Sequence, residues 1–218
     1  MIAHAVLPIE FYQRHSLVVA RELLGCTLVR RTSDGTVLSG RIVETEAYMP
    51  NDPSCHAHRG ESLKARSMFR AGGIAYVYLI YGIYHCLNVV TGAAKEGAAV
   101  LIRAVEPLMG IESMIANRGT GVVRDLARGP GRLCQALQID RALDGSCITS
   151  ADCPLVVVAG EALPDAAVAQ TPRIGINVSL RAIEAPWRLI VRDNSWISGT
   201  RRQNNGVAYA PAFDWFDV

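Results

Sequence analysis

CTLVRRTSDGTVLSGRIVETEAY (residues 26–48) holds two runs rich in apolar and β-branched residues, separated by Ser33-Asp34-Gly35. Turn residues of this kind between two such runs predict a β-hairpin. A hairpin makes its strands antiparallel, whereas a parallel pair needs a long crossover. The same pattern continues along the chain. YVYLIYGIYHCLNVV (76–90) reads as strand with a bend at Gly82, and AAVLIRAVEP (98–107) as another strand. CPLVVVAG (153–160), RIGINVS (173–179) and PWRLIVRDNSWIS (186–198) read as short strands between turns. Helices are expected at EFYQRHSLVVARELLG (10–25), with Phe11, Leu17, Val18, Leu23 and Leu24 at helical spacing and Gly25 as the stop. GIESMIANRG (110–119) and GPGRLCQALQI (129–139) read as two more, the latter with Pro130 in its first turn. No repeat, low-complexity segment or linker interrupts this order. The expectation is one α+β domain over residues 1–218, with a mostly antiparallel sheet and surrounding helices.

Composition excludes several classes. At 218 residues with 50% hydrophobic content the chain can bury a substantial core. No stretch approaches the about eighteen apolar residues of a membrane span. The start MIAHAVLPIEFYQRH has neither the basic opening nor the apolar run of a signal peptide, so a cytoplasmic location is expected. Six cysteines (26, 55, 86, 134, 147, 153) form no CxxC pair and are expected to be reduced and largely buried. The net charge is only +2, so any polyanion must be met by local clustering. RGESLKARSMFR (59–70) supplies such a cluster, with Arg59, Lys64, Arg66 and Arg70 against Glu61. Twenty arginines to two lysines suit phosphate recognition. A GC-rich genome produces the same bias.

Three groups of residues carry candidate chemistry. On a strand, alternation puts Ile42, Glu44, Glu46 and Tyr48 of RIVETEAY on one face, with Glu46 and Tyr48 about 7 Å apart. A carboxylate beside a ring suits a general base next to a stacking platform. Two surface glutamates on a solvated edge strand give the same pattern, which does not choose between Glu44 and Glu46. The polar loop MPNDPSCHAHRGES (49–62) brings Cys55, His56 and His58, which with His85 and Cys86 are a conceivable zinc set. Their spacing matches no structural zinc motif, and loop histidines and buried thiols are the preferred reading. The third group is the tyrosine run, with four of the chain's seven tyrosines between residues 76 and 84. Tyr76 and Tyr78 share a face, while Tyr81, directly before Gly82, is expected at the tip of the bend. Asn88 falls among apolar neighbours, so its amide needs a hydrogen-bond partner in the protein or in a ligand.

RIVETEAY, the histidine loop, YVYLIYGIYHCLNVV, VLIRAVEP, GPGRLCQAL and PRIGI, in this order and spacing, resemble the alkyladenine (3-methyladenine) DNA glycosylase family. The resemblance runs from the helix near Phe11 to Ser198 and leaves residues 199–218 as a tail outside it. It implies a single-domain enzyme that inserts a protruding β-hairpin into the minor groove of duplex DNA. A damaged nucleotide is extruded and its N-glycosidic bond hydrolysed without metal or cofactor. By this resemblance Glu46 is the general base and Arg103 helps to place the nucleophilic water, with the Ile174 carbonyl as the second water ligand. Tyr48, His56 and Tyr78 wall the base pocket, and Asn88 disfavours normal guanine. Tyr81 is the wedge, flanked by Gly82 and Ile83 at the hairpin tip. Lys64, Arg66 and Arg132 are read as phosphate contacts. The loop before the histidine is one residue shorter than in common members, which leaves His56 or His58 to be matched. His56-Ala57-His58-Arg59-Gly60 is similar to the bacterial form His-Ala-Tyr-Arg-Gly, which favours His56.

The expected substrates are alkylated purines, namely 3-methyladenine and 7-methylguanine, with hypoxanthine and ethenoadenine as further lesions. The expected partner is damaged double-stranded DNA and no membrane, with the protein acting as a monomer, near the nucleoid if bacterial. Strand-cutting glycosylases use an amine to form a Schiff base. The only lysines are Lys64 and Lys95, neither beside Glu46, so a monofunctional reaction through activated water is expected. The alternative from another class is a non-catalytic protein that binds damaged DNA.

Overall fold

The computed structural model describes residues 5–210. The part of the C-terminal tail from 211 to 218 lies outside the described residues.

The hairpin 26–48 forms as expected. Strand β1 (Thr27–Arg31) pairs antiparallel with β2 (Val37–Tyr48) across a turn in which Gly35 takes φ +87°. Strand β2 then serves as the hub of a nine-stranded sheet in which every pairing is antiparallel. On one side it pairs along its length with β5 (Ala98–Met109), followed outward by β4 (Tyr84–Thr91) and β3 (Ala75–Ile80). On the other side its first half pairs β1, which pairs β6 (Leu155–Val158). Its second half pairs β8 (Arg188–Val191), followed by β7 (Val168–Thr171) and β9 (Val207–Ala208). This is an α+β architecture.

One face of the sheet is the core. Ile42, Ala47, Ala75, Val77, Leu87, Val89, Val100, Ile102 and Val105 pack there with residues of α2 (Ser16–Leu23), α3 (Ile111–Arg118) and α4 (Pro130–Ala136). The first helical segment is broken where a single helix was expected, into α1 (Ile9–Tyr12) and α2. His15 accepts a hydrogen bond from the Leu17 amide (3.3 Å) and so caps α2. The buried face of α2 is Ser16, Val19, Ala20 and Leu23, not Leu17 and Val18. Ser16 can lie inside because its hydroxyl meets Thr91 Oγ1 (2.8 Å) and the Tyr48 carbonyl (3.2 Å).

Two irregularities between β2 and β5 build the opposite face. Pairing skips Val43 between Ile42–Val105 and Glu44–Ala104, and skips Arg103 before Thr45–Ile102. A bulge of this kind re-aims side chains. Simple alternation therefore fails at one point: Ile42 joins the core, whereas Glu44 and Glu46 turn to the other face with Arg103. RIGINVS, expected as a strand, is irregular: Pro172 ends β7, Gly175 adopts φ +86°, and residues 174–178 wall a cavity instead. The expected strand 186–198 is shorter, ending at Val191. Segment 55–68 covers part of this second face, where Cys55, Ala57 and Met68 pack on Tyr76, Val90 and Ala99. Of the cysteines, four are buried, Cys153 is partly buried and Cys147 is exposed, and all are free thiols.

Candidate active site

On the second face lies a cavity of about 620 Å³, within the range typical of small-molecule sites. Its lining includes Tyr48, His56, Tyr78, Tyr81, Asn88, Arg103 and Ile174, so one cavity gathers residues from β2 to the loop after β7.

The two glutamates that the pattern could not separate differ in the partners that hold them. Both are fully buried. Glu44 Oε1 accepts from Arg188 Nε (2.6 Å) and Ser198 Oγ (2.9 Å) and lies 3.1 Å from Arg103 Nε, while Oε2 accepts from the Ser198 amide (2.6 Å). Three of these contacts fall on Oε1 and one on Oε2, and of the partners only Arg103 lines the cavity, so Glu44 is held away from it by Arg188 and Ser198. Glu46 Oε1 accepts from the Ile174 amide (2.9 Å) and faces Arg103 Nη1 (3.3 Å), while Oε2 accepts from the Tyr48 hydroxyl (2.9 Å). One Oε2 site remains open. Tyr48, Arg103 and Ile174, which touch Glu46, all line the cavity. Glu46 thus lies just behind the cavity wall rather than on it.

Electrostatics tie these groups together. Burial, then the Glu46 carboxylate, push the Tyr48 hydroxyl well above the usual phenol range, so it stays a donor. Burial pulls the Arg103 guanidinium down, but Glu46 and Glu44 outweigh it and hold it above its ordinary value. His56 is lowered by burial and by Lys64, so its imidazole is neutral near pH 7. His56 Nδ1 hydrogen-bonds the Tyr76 hydroxyl (2.8 Å), and its ring meets Tyr78 edge-on with centroids 4.6 Å apart. His58 also lines the cavity, yet His56 is the one fixed in the aromatic wall. Asn88 is 4% exposed and donates through Nδ2 to the Tyr76 carbonyl (3.2 Å), which satisfies the need foreseen for this amide.

The tip of the β3–β4 hairpin is exposed. Tyr81 (φ 55°) and Gly82 (φ 73°) are consecutive left-handed residues, as a type I′ turn requires. Glycine adopts that conformation freely, whereas a tyrosine there is strained. Tyr81 is also 84% and Ile83 68% exposed, so no packing in the chain accounts for the strain. Tyr84 anchors the base of the turn against Gly131 of α4, where an added Cβ would sit 3.1 Å from the tyrosine side chain. Lys64 Nζ lies 5.8 Å over the Tyr78 ring and Arg66 is exposed nearby in sequence. Arg132 is half-exposed and 3.4 Å from Asp125. Among the described residues no His, Cys, Asp and Glu side chains gather in threes, so Cys55, His56, His58 and His85 do not form a metal set. Cys55 instead faces the Gly97 carbonyl (3.5 Å).

Sequence reasoning missed the supports. Arg173, 5% exposed, pairs with buried Asp52 and stacks between Tyr48 (4.6 Å) and Trp187 (4.8 Å). Arg188, with no exposed surface, pairs with Glu44. Both arginines stand in apolar segments, PRIGI and PWRLIV, and a guanidinium in such a setting needs a buried carboxylate. That signal was available in the sequence, but it does not say which carboxylate.

Residues 10–195 match the protein family described as methylpurine-DNA glycosylase. A protein of Herpetosiphon aurantiacus is 59% identical over 213 residues, spanning 97% of this chain and 96% of its own length. Proteins of Carboxydothermus hydrogenoformans and Methanoculleus marisnigri are each 44% identical, spanning 88% of this chain and 98% of theirs. All three are provisionally named 3-methyladenine DNA glycosylase.

Proposed function

The chain belongs to the methylpurine-DNA glycosylase family, hydrolases of N-glycosyl bonds in damaged DNA, and from that premise we propose a mechanism for its own residues. The protein flips an alkylated purine out of the duplex into the 620 Å³ cavity and cleaves its glycosidic bond with a water activated by Glu46. The partners of Glu46 carry this reading: Tyr48, Arg103 and Ile174 all line the cavity, whereas Glu44 is held by Arg188 and Ser198, which do not. Arg103 and the Ile174 carbonyl place the water. Among the described residues no helix is long and apolar enough to cross a membrane. Action as a monomer is part of the proposal.

A stacked base offers no path to its sugar carbon, so the nucleotide must leave the helix at a cost of a few kcal/mol. Tyr81, strained and exposed, offsets roughly 1–3 kcal/mol of this by stacking in the vacated place. Tyr81→Ala is expected to weaken binding to an abasic-site duplex roughly tenfold, read by fluorescence anisotropy. Unchanged binding and excision would remove the wedge role. Lys64, Arg66 and Arg132 contact phosphates, which makes affinity fall with salt.

Methylation at N3 or N7 leaves the purine cationic. Tyr48, His56 and Tyr78 favour a cation by about 0.5–2 kcal/mol, too little for discrimination across a genome. Arg173 behind Tyr48 reduces the share of that ring further. The lesion's own weak bond supplies most of the selectivity, and Asn88 excludes guanine. With its Nδ2 tied to the Tyr76 carbonyl, this amide cannot swing clear of guanine's exocyclic amine.

The test is release of free base from duplexes containing 3-methyladenine, 7-methylguanine, hypoxanthine or ethenoadenine. Methylated purines should appear as free bases, leaving uncut abasic sites. Release from none of them refutes the proposal and favours a silent binder. For such a binder, however, Arg103 held between two buried carboxylates has no use.

A further inference from the structure

We propose that Ser198 is a positioning residue for glycosidic-bond hydrolysis, acting through Glu44 on Arg103. It lies outside the 10–195 segment matched to the family, and no role follows for it from the site residues already named.

Ser198 is 5% exposed and touches Glu44, Arg103 and Arg188. Its amide donates to Glu44 Oε2 (2.6 Å) and its hydroxyl donates to Glu44 Oε1 (2.9 Å). The same hydroxyl accepts from Arg103 Nε (3.2 Å), and its carbonyl accepts from Arg188 Nη2 (3.1 Å). A serine hydroxyl can donate once and accept at the same time, which is what this position uses.

The reason such a group matters is competition. Glu44 and Glu46 both draw on Arg103, at 3.1 and 3.3 Å. Arg103 can serve Glu46 and the cavity only if Glu44 is satisfied elsewhere. Arg188 and Ser198 satisfy it, and Ser198 also takes part of the Arg103 Nε–H that Glu44 would otherwise claim. Without the hydroxyl, Arg103 turns further onto Glu44 and withdraws its terminal nitrogen from Glu46.

The surrounding chain holds Ser198 in register. The neighbouring Ile197 packs with Val43 and Ala104 at the bulge, and its carbonyl accepts from Arg128 Nε (2.6 Å). Gly199 turns at φ +82°, where a Cβ would stand 2.8 Å from Ile174 Cδ1. The chain after Ser198 thus closes against the residue whose amide binds Glu46. Arg188 is held from outside by the Gln203 carbonyl (3.0 Å) and Asn204 Oδ1 (2.7 Å), so residues 198–204 act as a clasp on the buried charges.

The inference rests on the reading of Glu46 and Arg103 as the water-activating pair, and the test separates the two. Ser198→Ala is compared with wild type in single-turnover excision of 3-methyladenine, with active sites counted by titration against an abasic-site duplex. The excision rate per active site should fall roughly tenfold, as expected for loss of a hydrogen bond to charged groups. Affinity for the abasic duplex should stay within about twofold. A rate within about threefold of wild type overturns the proposal. So does a loss of rate matched by an equal loss of duplex affinity, which indicates general disruption. If Ser198→Ala is normal while Glu46→Gln is inactive, only this inference fails. If both are normal, the reading of Glu46 fails first.

Discussion

Glu46→Gln is expected to lower the single-turnover excision rate by at least about a hundredfold, while binding to an abasic-site duplex is retained. The magnitude is the usual contribution of a positioned general base. Glutamine preserves the shape and most of the contacts. Its carbonyl can still accept from the Ile174 amide, and its NH₂ meets the Tyr48 hydroxyl, which can accept. Arg103 keeps Glu44 and Ser198, so it is not left alone in the interior. What disappears is the negative charge of the carboxylate, and with it the basicity that the proposed mechanism needs. The hairpin tip and the basic segment are untouched, so DNA capture should not change. Base release at near the normal rate by this variant would show that Glu46 is not the base. Glu44 would not then be a ready substitute, since Arg188 and Ser198 hold it away from the cavity and only Arg103 connects it to the lining.

How much of this could be read in the sequence depends on the range of the interactions involved. The hairpin 26–48, the bend at Gly82 and the helices at 111–118 and 130–136 were legible because turn residues and periodicity act locally. The failures have causes that a pattern does not register. Alternation from Ile42 to Tyr48 broke at a bulge, which depends on the register of β5 rather than on β2 itself. RIGINVS has the composition of a strand, yet Pro172 and Gly175 turn it into the cavity wall, where Ile174 reaches Glu46. Among the site residues, Glu46, Tyr48, Tyr78 and Arg103 became candidates through motif order, and the structure brings the last three to one cavity with Glu46 just behind its wall. The choice between Glu44 and Glu46 was beyond pattern. It depends on Arg188 and Ser198, more than 140 residues downstream in sequence, which hold Glu44 away from the cavity that the partners of Glu46 line.

Arg188→Ala is expected to be the most destabilising single change in this network. The guanidinium has no exposed surface and serves the carboxylate of Glu44, the Thr171 hydroxyl, the Ser198 and Gln203 carbonyls and Asn204 Oδ1. Taking a charge out of water costs several kcal/mol, so the pair need not add net stability over an apolar replacement. Removing one partner is different, because Glu44 is then left buried with Arg103 as its remaining cation. Breaking buried pairs in this way costs about 3–5 kcal/mol. For a chain of this size each kcal/mol lowers Tm by roughly 2–4 °C, so calorimetry should read a drop on the order of 10 °C. The surface pair Arg14–Glu22, with side chains 36% and 47% exposed, supplies the contrast. Arg14→Ala should cost under about 1 kcal/mol, since exposed pairs are screened by water. Equal small shifts from the two variants would mean that burial of Arg188 contributes nothing and that the clasp at 198–204 is loose. A large shift from Arg188→Ala alone has a catalytic corollary. Below its lowered Tm, the folded fraction of this variant should still excise slowly, because an unsatisfied Glu44 competes with Glu46 for Arg103.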